Sequence, residues 1–200
     1  MKKVTYTLVG EGFAEYQFLP AYFDWVSKKY QVNLIRSKIQ INISKPSGFS
    51  KVLKEVNSLC VQSFVSAKPV DFFVAGIDLD ETDFTDTLEH HQKRVNELIV
   101  RLGKLHKQFS HQIILFVPIQ AIDHWINYQQ VDSIANSLES KSKKEIKRLV
   151  YGHEDAKRFH IERISLTVGK NADFDELAKQ SRSFRHFHNQ VQQFLSETSQ

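Results

Sequence analysis

Three carboxylates stand where two apolar runs break. Val4 to Val9 ends in Gly10-Glu11-Gly12, with Glu15 close behind, and Val70 to Ile77 ends in Asp78-Leu79-Asp80. Runs rich in Val, Phe and Ile read as strands buried on both faces of a parallel sheet. Ligands of open α/β sheets bind beyond the carboxyl ends of such strands. Two neighbouring strands would therefore hold Glu11, Asp78 and Asp80 at one edge. Carboxylates gathered there repel one another unless a cation lies between them. An all-oxygen ligand set points to magnesium or manganese.

Other chemistries are weighed on the same residues. Asp78-Leu79-Asp80-Glu81-Thr82 resembles the Asp-x-Asp-x-Thr motif of haloacid dehalogenase phosphatases, in which the first Asp is the nucleophile; no Asp-Asp or Gly-Asp pair follows here. Asp78, Asp80, Asp86 and Glu89 have EF-hand spacing, but Asp83 stands where that loop needs Gly, and a strand precedes it. The nine His residues lack zinc-ligand spacing, and Cys60 is the single cysteine. No Gly-x4-Gly-Lys-Ser/Thr loop is present, which excludes ATP binding of the P-loop kind.

Positioning the acids requires a β-α-β-α-β-α-β order. Strand one covers about 3–9, a helix Phe13 to Tyr30 contains Pro20, and Ser37 to Ile43 alternates Ile39, Ile41 and Ile43 with polar residues as a half-buried strand. A turn over Ser44 to Gly48 precedes a helix Phe49 to Phe64, capped by Ser47 or Ser50. After Val70 to Ile77 come a long helix Asp86 to Phe109 and an apolar strand Ile113 to Pro118. Glu139 to Arg148 reads as an exposed helix and Ile161 to Val168 as a last strand. This order predicts an α/β fold: a mainly parallel central sheet with helices on both faces. Residues 1–130 would form the core, and 131–200 a mostly helical, basic extension packed on it.

Two hundred residues suit one domain. The net charge of +4 arises wholly after residue 140, where 12 Lys/Arg face 8 Asp/Glu, a surface compatible with a polyanion. No apolar stretch approaches a membrane span, and a lone cysteine predicts a reducing, cytoplasmic setting.

The paired acidic turns resemble the TOPRIM domain of topoisomerases, primases and OLD-family nucleases. Leu8-Val9-Gly10-Glu11-Gly12-Phe13-Ala14-Glu15-Tyr16 looks like the strand-Glu-Gly turn of small OLD-type and RloB-like TOPRIM proteins. Phe116 to Trp125, with Asp123, resembles the family's later strand and helix start. Lys144 to Leu149 and Lys170 resemble its basic segment, and Leu177 to Phe187 its closing Ser-x-Ser-Phe helix. Gly10 replaces the usual aliphatic residue, Ala14 the usual Thr or Ser, and Asp123 the usual Glu.

The resemblance implies Glu11 as metal ligand or general acid/base, Asp78 and Asp80 as the metal-binding pair, and Glu15 and Asp123 as secondary ligands or orienters. Lys144, Lys147 and Lys170 would neutralise phosphate, and Arg182 and Arg185 would touch a nucleic-acid backbone. It implies a magnesium- or manganese-dependent nuclease acting on DNA or RNA. The setting would be prokaryotic defence or a mobile element, with a partner ATPase and homo-oligomer formation as further expectations. The alternatives are a TOPRIM scaffold that binds without turnover, and the phosphatase.

Overall fold

The computed structural model describes residues 1–41, 48–128, 139 and 141–198. Four strands, β1 (Lys2–Val9), β2 (Val32–Arg36), β3 (Phe72–Gly76) and β4 (Ile113–Phe116), form one parallel sheet in the order β2-β1-β3-β4. Between them run α1 (Glu15–Tyr30), α2 (Gly48–Phe64), α3 (Glu89–Leu102) and α4 (Lys104–Gln108). After β4 come α5 (Ile122–Tyr128), α6 (Lys143–Tyr151), α7 (Arg158–Asn171), α8 (Phe174–Gln180) and α9 (Arg182–Thr198).

Alternation within each strand explains both the apolar runs and the helices on both faces. Tyr6, Leu8, Phe72, Val74, Ile114 and Phe116 enter one core with α1 and the helices after β4. Val9, Phe73, Ala75, Ile113 and Leu115 enter the other, with α2 and α3. β3 and β4 are thus buried on both faces throughout, and β1 over its second half, which removes the polar alternation of a half-exposed strand. The first core is crowded with rings: Tyr22 packs edge-on against Phe174 and Phe184, and Trp125 stacks on Phe187 at 6.0 Å. Phe184 and Phe187 are fully buried, in line with a core-packing role. Gly76 permits the tight β3–β4 approach, because a Cβ there would lie 2.3 Å from the Phe116 ring.

Several expected elements differ. The strand after α1 is Val32–Arg36, not Ser37 to Ile43. Ser37 still donates its N–H to Tyr6 O, but its hydroxyl then binds Thr7 Oγ1 and Ile39 N, turning the chain off the sheet. Ile41 is buried against the α2 side instead. The Ser44 to Gly48 turn and the Ser47 cap lie outside the described residues apart from Gly48, and Ser50 is inside α2.

The long helix breaks at Gly103, whose φ of +58° closes α3 before α4. Ile161 to Val168 is helical: Ile161, Ile164 and Val168 pack on the first core, while Ser165 and Gly169 are buried. A Cβ on Gly169 would meet Ala21 Cβ at 2.9 Å, so this pair of small residues, one turn apart, lets α7 approach α1 closely. α6 starts at Lys143, and Ile146, Val150 and Tyr151 turn inward, so the Glu139 to Arg148 segment is only partly exposed.

Candidate functional site

β1 connects outward to β2 and then back across to β3, so the strand order reverses between β1 and β3. Crevices at such reversals, beyond the carboxyl ends of the strands, are where open sheets bind ligands. The register Val9↔Ala75 brings the two acidic turns out side by side. The Asp78 N–H donates to Glu11 Oε1 at 2.8 Å, which ties one turn to the other. Gly48 N–H, at the start of α2, donates to Glu11 O. Gly10 makes room for the helix that follows, since a Cβ there would lie 3.0 Å from Glu15 Cβ.

Beyond β3 and β4 the chains stay paired: Leu79 N–H donates to Pro118 O and Asp80 N–H to Gln120 O, while Gln120 N–H returns to Glu81 O. Asp80 and Gln120 both adopt left-handed backbone, φ +62° and +61°. Non-glycine residues held there by reciprocal hydrogen bonds store strain of a kind that gathers at functional sites.

Glu11, Glu15, Asp78, Asp123, Lys143, Lys147 and Tyr151 line one pocket of 220 Å³. Asp78 Oδ1 accepts the Ile122 N–H at 3.1 Å, fixing it to the start of α5. Its Oδ2 takes the Lys143 ammonium at 3.0 Å, and the same ammonium reaches Asp80 Oδ1 at 2.5 Å. Tyr151 donates its hydroxyl to Asp123 Oδ1 at 2.5 Å. Lys143, Lys147 and Tyr151 are successive turns of α6, so a single stripe of that helix faces the carboxylates.

Burial and mutual repulsion raise Glu11, Glu15 and Asp78. Burial, and then the Asp78 charge, push Glu15 up to about 8 and Glu11 to about 7. Burial raises Asp78 to about 6 even though Lys143 opposes the shift. Burial alone would lower the Lys143 ammonium; the Asp78 and Asp80 carboxylates outweigh it, and the group is raised. Burial and the neighbouring Asp123 hold the Tyr151 phenol protonated, as a donor must be.

The remaining basic residues are placed elsewhere. Lys144 points away from the pocket and is 81% exposed, 3.6 Å from Glu154. Lys170 lines a different cavity with Asp24 and Trp25. Arg185 donates to Ala178 O and Lys179 O and so closes the end of α8. Arg182 donates to the Asp83 and Thr85 carbonyls, anchoring the loop that follows Asp80. Ser181 and Ser183 both donate to the buried Glu139, and Ser183 Oγ accepts the Trp125 indole N–H at 2.9 Å. The Ser-x-Ser-Phe segment therefore anchors α5 rather than lining the pocket.

Sequence reasoning passed over Lys143 and Tyr151. A signal existed for the first: Ser142-Lys143-Lys144-Glu145 is a capping-box sequence, and both of its reciprocal bonds form, which makes Lys143 the first residue of α6.

No protein-family model, curated protein or solved structure matches this chain. Among the described residues no helix is long and apolar enough to cross a membrane, and no three His, Cys, Asp or Glu side chains stand grouped as ready metal ligands. In the acidic pocket the Lys143 ammonium is the cation that contacts both Asp78 and Asp80. The donor chemistry around it is all carboxylate, which fits a hard divalent ion.

Proposed function

We propose that this protein is a TOPRIM-like, magnesium- or manganese-dependent nuclease whose site is the pocket lined by Glu11 and Asp78, with Asp80 beside it across the Lys143 ammonium. The observation that carries the reading is a cation, the Lys143 ammonium, held between Asp78 and Asp80 beside a Glu11 that is hydrogen-bonded to the Asp78 backbone. Asp78, Asp80 and Glu11 would hold the ion, with Glu15 and Asp123 behind them. When bound, such an ion activates water or stabilises a departing oxyanion in phosphodiester cleavage.

The chain's own groups supply the rest. Lys143 and Lys147 offer positive charge to phosphate from one side of the pocket. Glu11 is raised to about 7 in the ion-free pocket, and an ion held there would favour its charged, ligating form. Tyr151 fixes the Asp123 carboxylate so that its second oxygen keeps a constant direction. The resemblance to OLD-type and RloB-like proteins adds nucleic acid as substrate, a partner ATPase, a homo-oligomer, and a cytoplasmic role in prokaryotic defence as parts of the same proposal.

Glu11→Gln should abolish cleavage of single- or double-stranded DNA or RNA while leaving binding intact or slightly tighter, because a repelling carboxylate is removed. Asp78→Asn/Asp80→Asn should lose calorimetric manganese binding. Undiminished manganese binding in that double variant sinks the site assignment. A wild type that cuts no nucleic acid but binds it in a salt-sensitive manner is the scaffold. One that instead releases phosphate from small phosphoesters is the phosphatase.

A further inference from the structure

We propose that Lys143 is an exchangeable cation that couples metal binding to phosphate binding. Its ammonium holds Asp78 and Asp80 until a divalent ion takes their oxygens, then turns to a phosphate in the same pocket. The inference rests on the metal-dependent reading above and extends it to how the site loads.

Four observations carry it. The ammonium contacts both carboxylates at 3.0 and 2.5 Å, so it occupies the bridging position a shared ion would take. Magnesium–oxygen distances are about 2.0–2.1 Å, so an ion bridging the same two oxygens would sit where the ammonium now lies between them and displace it. Asp78 is buried and pinned by the Ile122 N–H, whereas the Lys143 side chain is 36% exposed. The lysine is therefore the partner able to leave. It sits at the first position of α6, with Lys147 one turn on along the same pocket wall. An ammonium released from the carboxylates thus joins a second one, in a place where a phosphate would find both.

Exchange of this kind has a thermodynamic signature. A resident competitor weakens the ion's affinity, and a ligand that draws the competitor off restores it. By linkage the metal strengthens anion binding by the same factor. A lysine that is only a structural brace gives the opposite result, because its removal loosens the site and weakens metal binding.

The test is calorimetric manganese titration of the full chain and of Lys143→Met, each in chloride and in sulfate at matched ionic strength. Sulfate serves as an inert tetrahedral dianion. In chloride, Lys143→Met is expected to bind manganese about tenfold tighter than wild type, equivalent to about 1.4 kcal/mol. Sulfate should tighten manganese binding by wild type several-fold and leave that by Lys143→Met unchanged. Equal or weaker binding by Lys143→Met in chloride overturns the inference, and so does a wild-type affinity indifferent to sulfate. The second arm needs no variant and decides the matter if Lys143→Met fails to fold. Absence of manganese binding by both proteins overturns the metal reading itself, a result distinct from equal binding by both.

Discussion

At the scale of single residues, the pocket is a balance of unlike penalties. Glu15 is nearly inaccessible and is pushed from 4.5 to about 8, by burial first and by Asp78 second. A carboxyl raised by folding binds its proton more tightly in the native state. Its contribution therefore favours the fold below the unfolded value and is lost as pH rises through about 8. Glu11 and Asp78 act with the same sign. Glu15→Gln removes one such group. With chelator present, denaturant unfolding should find Glu15→Gln more stable than wild type by several kcal/mol at alkaline pH. The difference should shrink as pH falls toward 4.5, the ordinary value. A difference that does not vary with pH would mean that folding leaves the Glu15 carboxyl unshifted from its ordinary value.

At the scale of elements, α6 carries the basic side of the site, and its first turn sets where Lys143 points. The Ser142 hydroxyl accepts the Glu145 N–H, while Glu145 Oε2 takes both the Ser142 N–H and its hydroxyl. Ser142→Ala should lower stability by about 1 kcal/mol, the usual loss for an N-cap. Hydrogen exchange should speed up at the Glu145 and Ile146 amides and stay unchanged at Tyr151, two turns on. Uniform acceleration along α6 would show that the cap supports the whole helix rather than its entry. The same scale explains α7. Its β-branched residues read locally as a strand, yet Gly169 lets α7 pack closely on Ala21 and Phe18 of α1, and that packing selects the helix.

At the scale of the molecule, the helices after β4 are part of the core rather than an attachment to it. Phe184, Phe187, Val191 and Leu195 of α9 are fully buried in the cluster that includes Tyr6 and Leu8 of β1. Gln190 of α9 also caps β4: its side chain accepts the Leu115 N–H and donates to Leu115 O. This contact satisfies the outer edge of the sheet. A chain truncated after Gln180 would lose α9 and expose the part of the first core, including Phe72 and Phe116, that Phe187 and Phe194 cover. It should lose its cooperative thermal transition by circular dichroism and bind a dye for exposed apolar surface. A truncated chain that still melts cooperatively would mean that residues 1–180 hold a self-sufficient core without α9.

The sequence by itself determined the parallel α/β plan and the two acidic turns. Those features are written locally: an apolar run buried on both faces needs no distant partner to be recognised, and a Gly-Glu-Gly or Asp-Leu-Asp break marks where it ends. Strand adjacency decided the rest of the acidic side, since Val9 and Ala75 are neighbours only once α1 and α2 have packed on opposite faces. Only the tertiary structure brought Lys143 to Asp78, 65 residues away, and Tyr151 to Asp123. Nothing in the composition of residues 141–151 separates Lys143 from the exposed Lys144 beside it. The direction of each side chain depends on how α6 lies against α5, a consequence of Ile146 and Val150 entering the aromatic core. Ser37 to Ile43 and Ile161 to Val168 misled for the same reason. Alternation and β-branching report what a segment tolerates, whereas the neighbour that buries it selects strand, turn or helix.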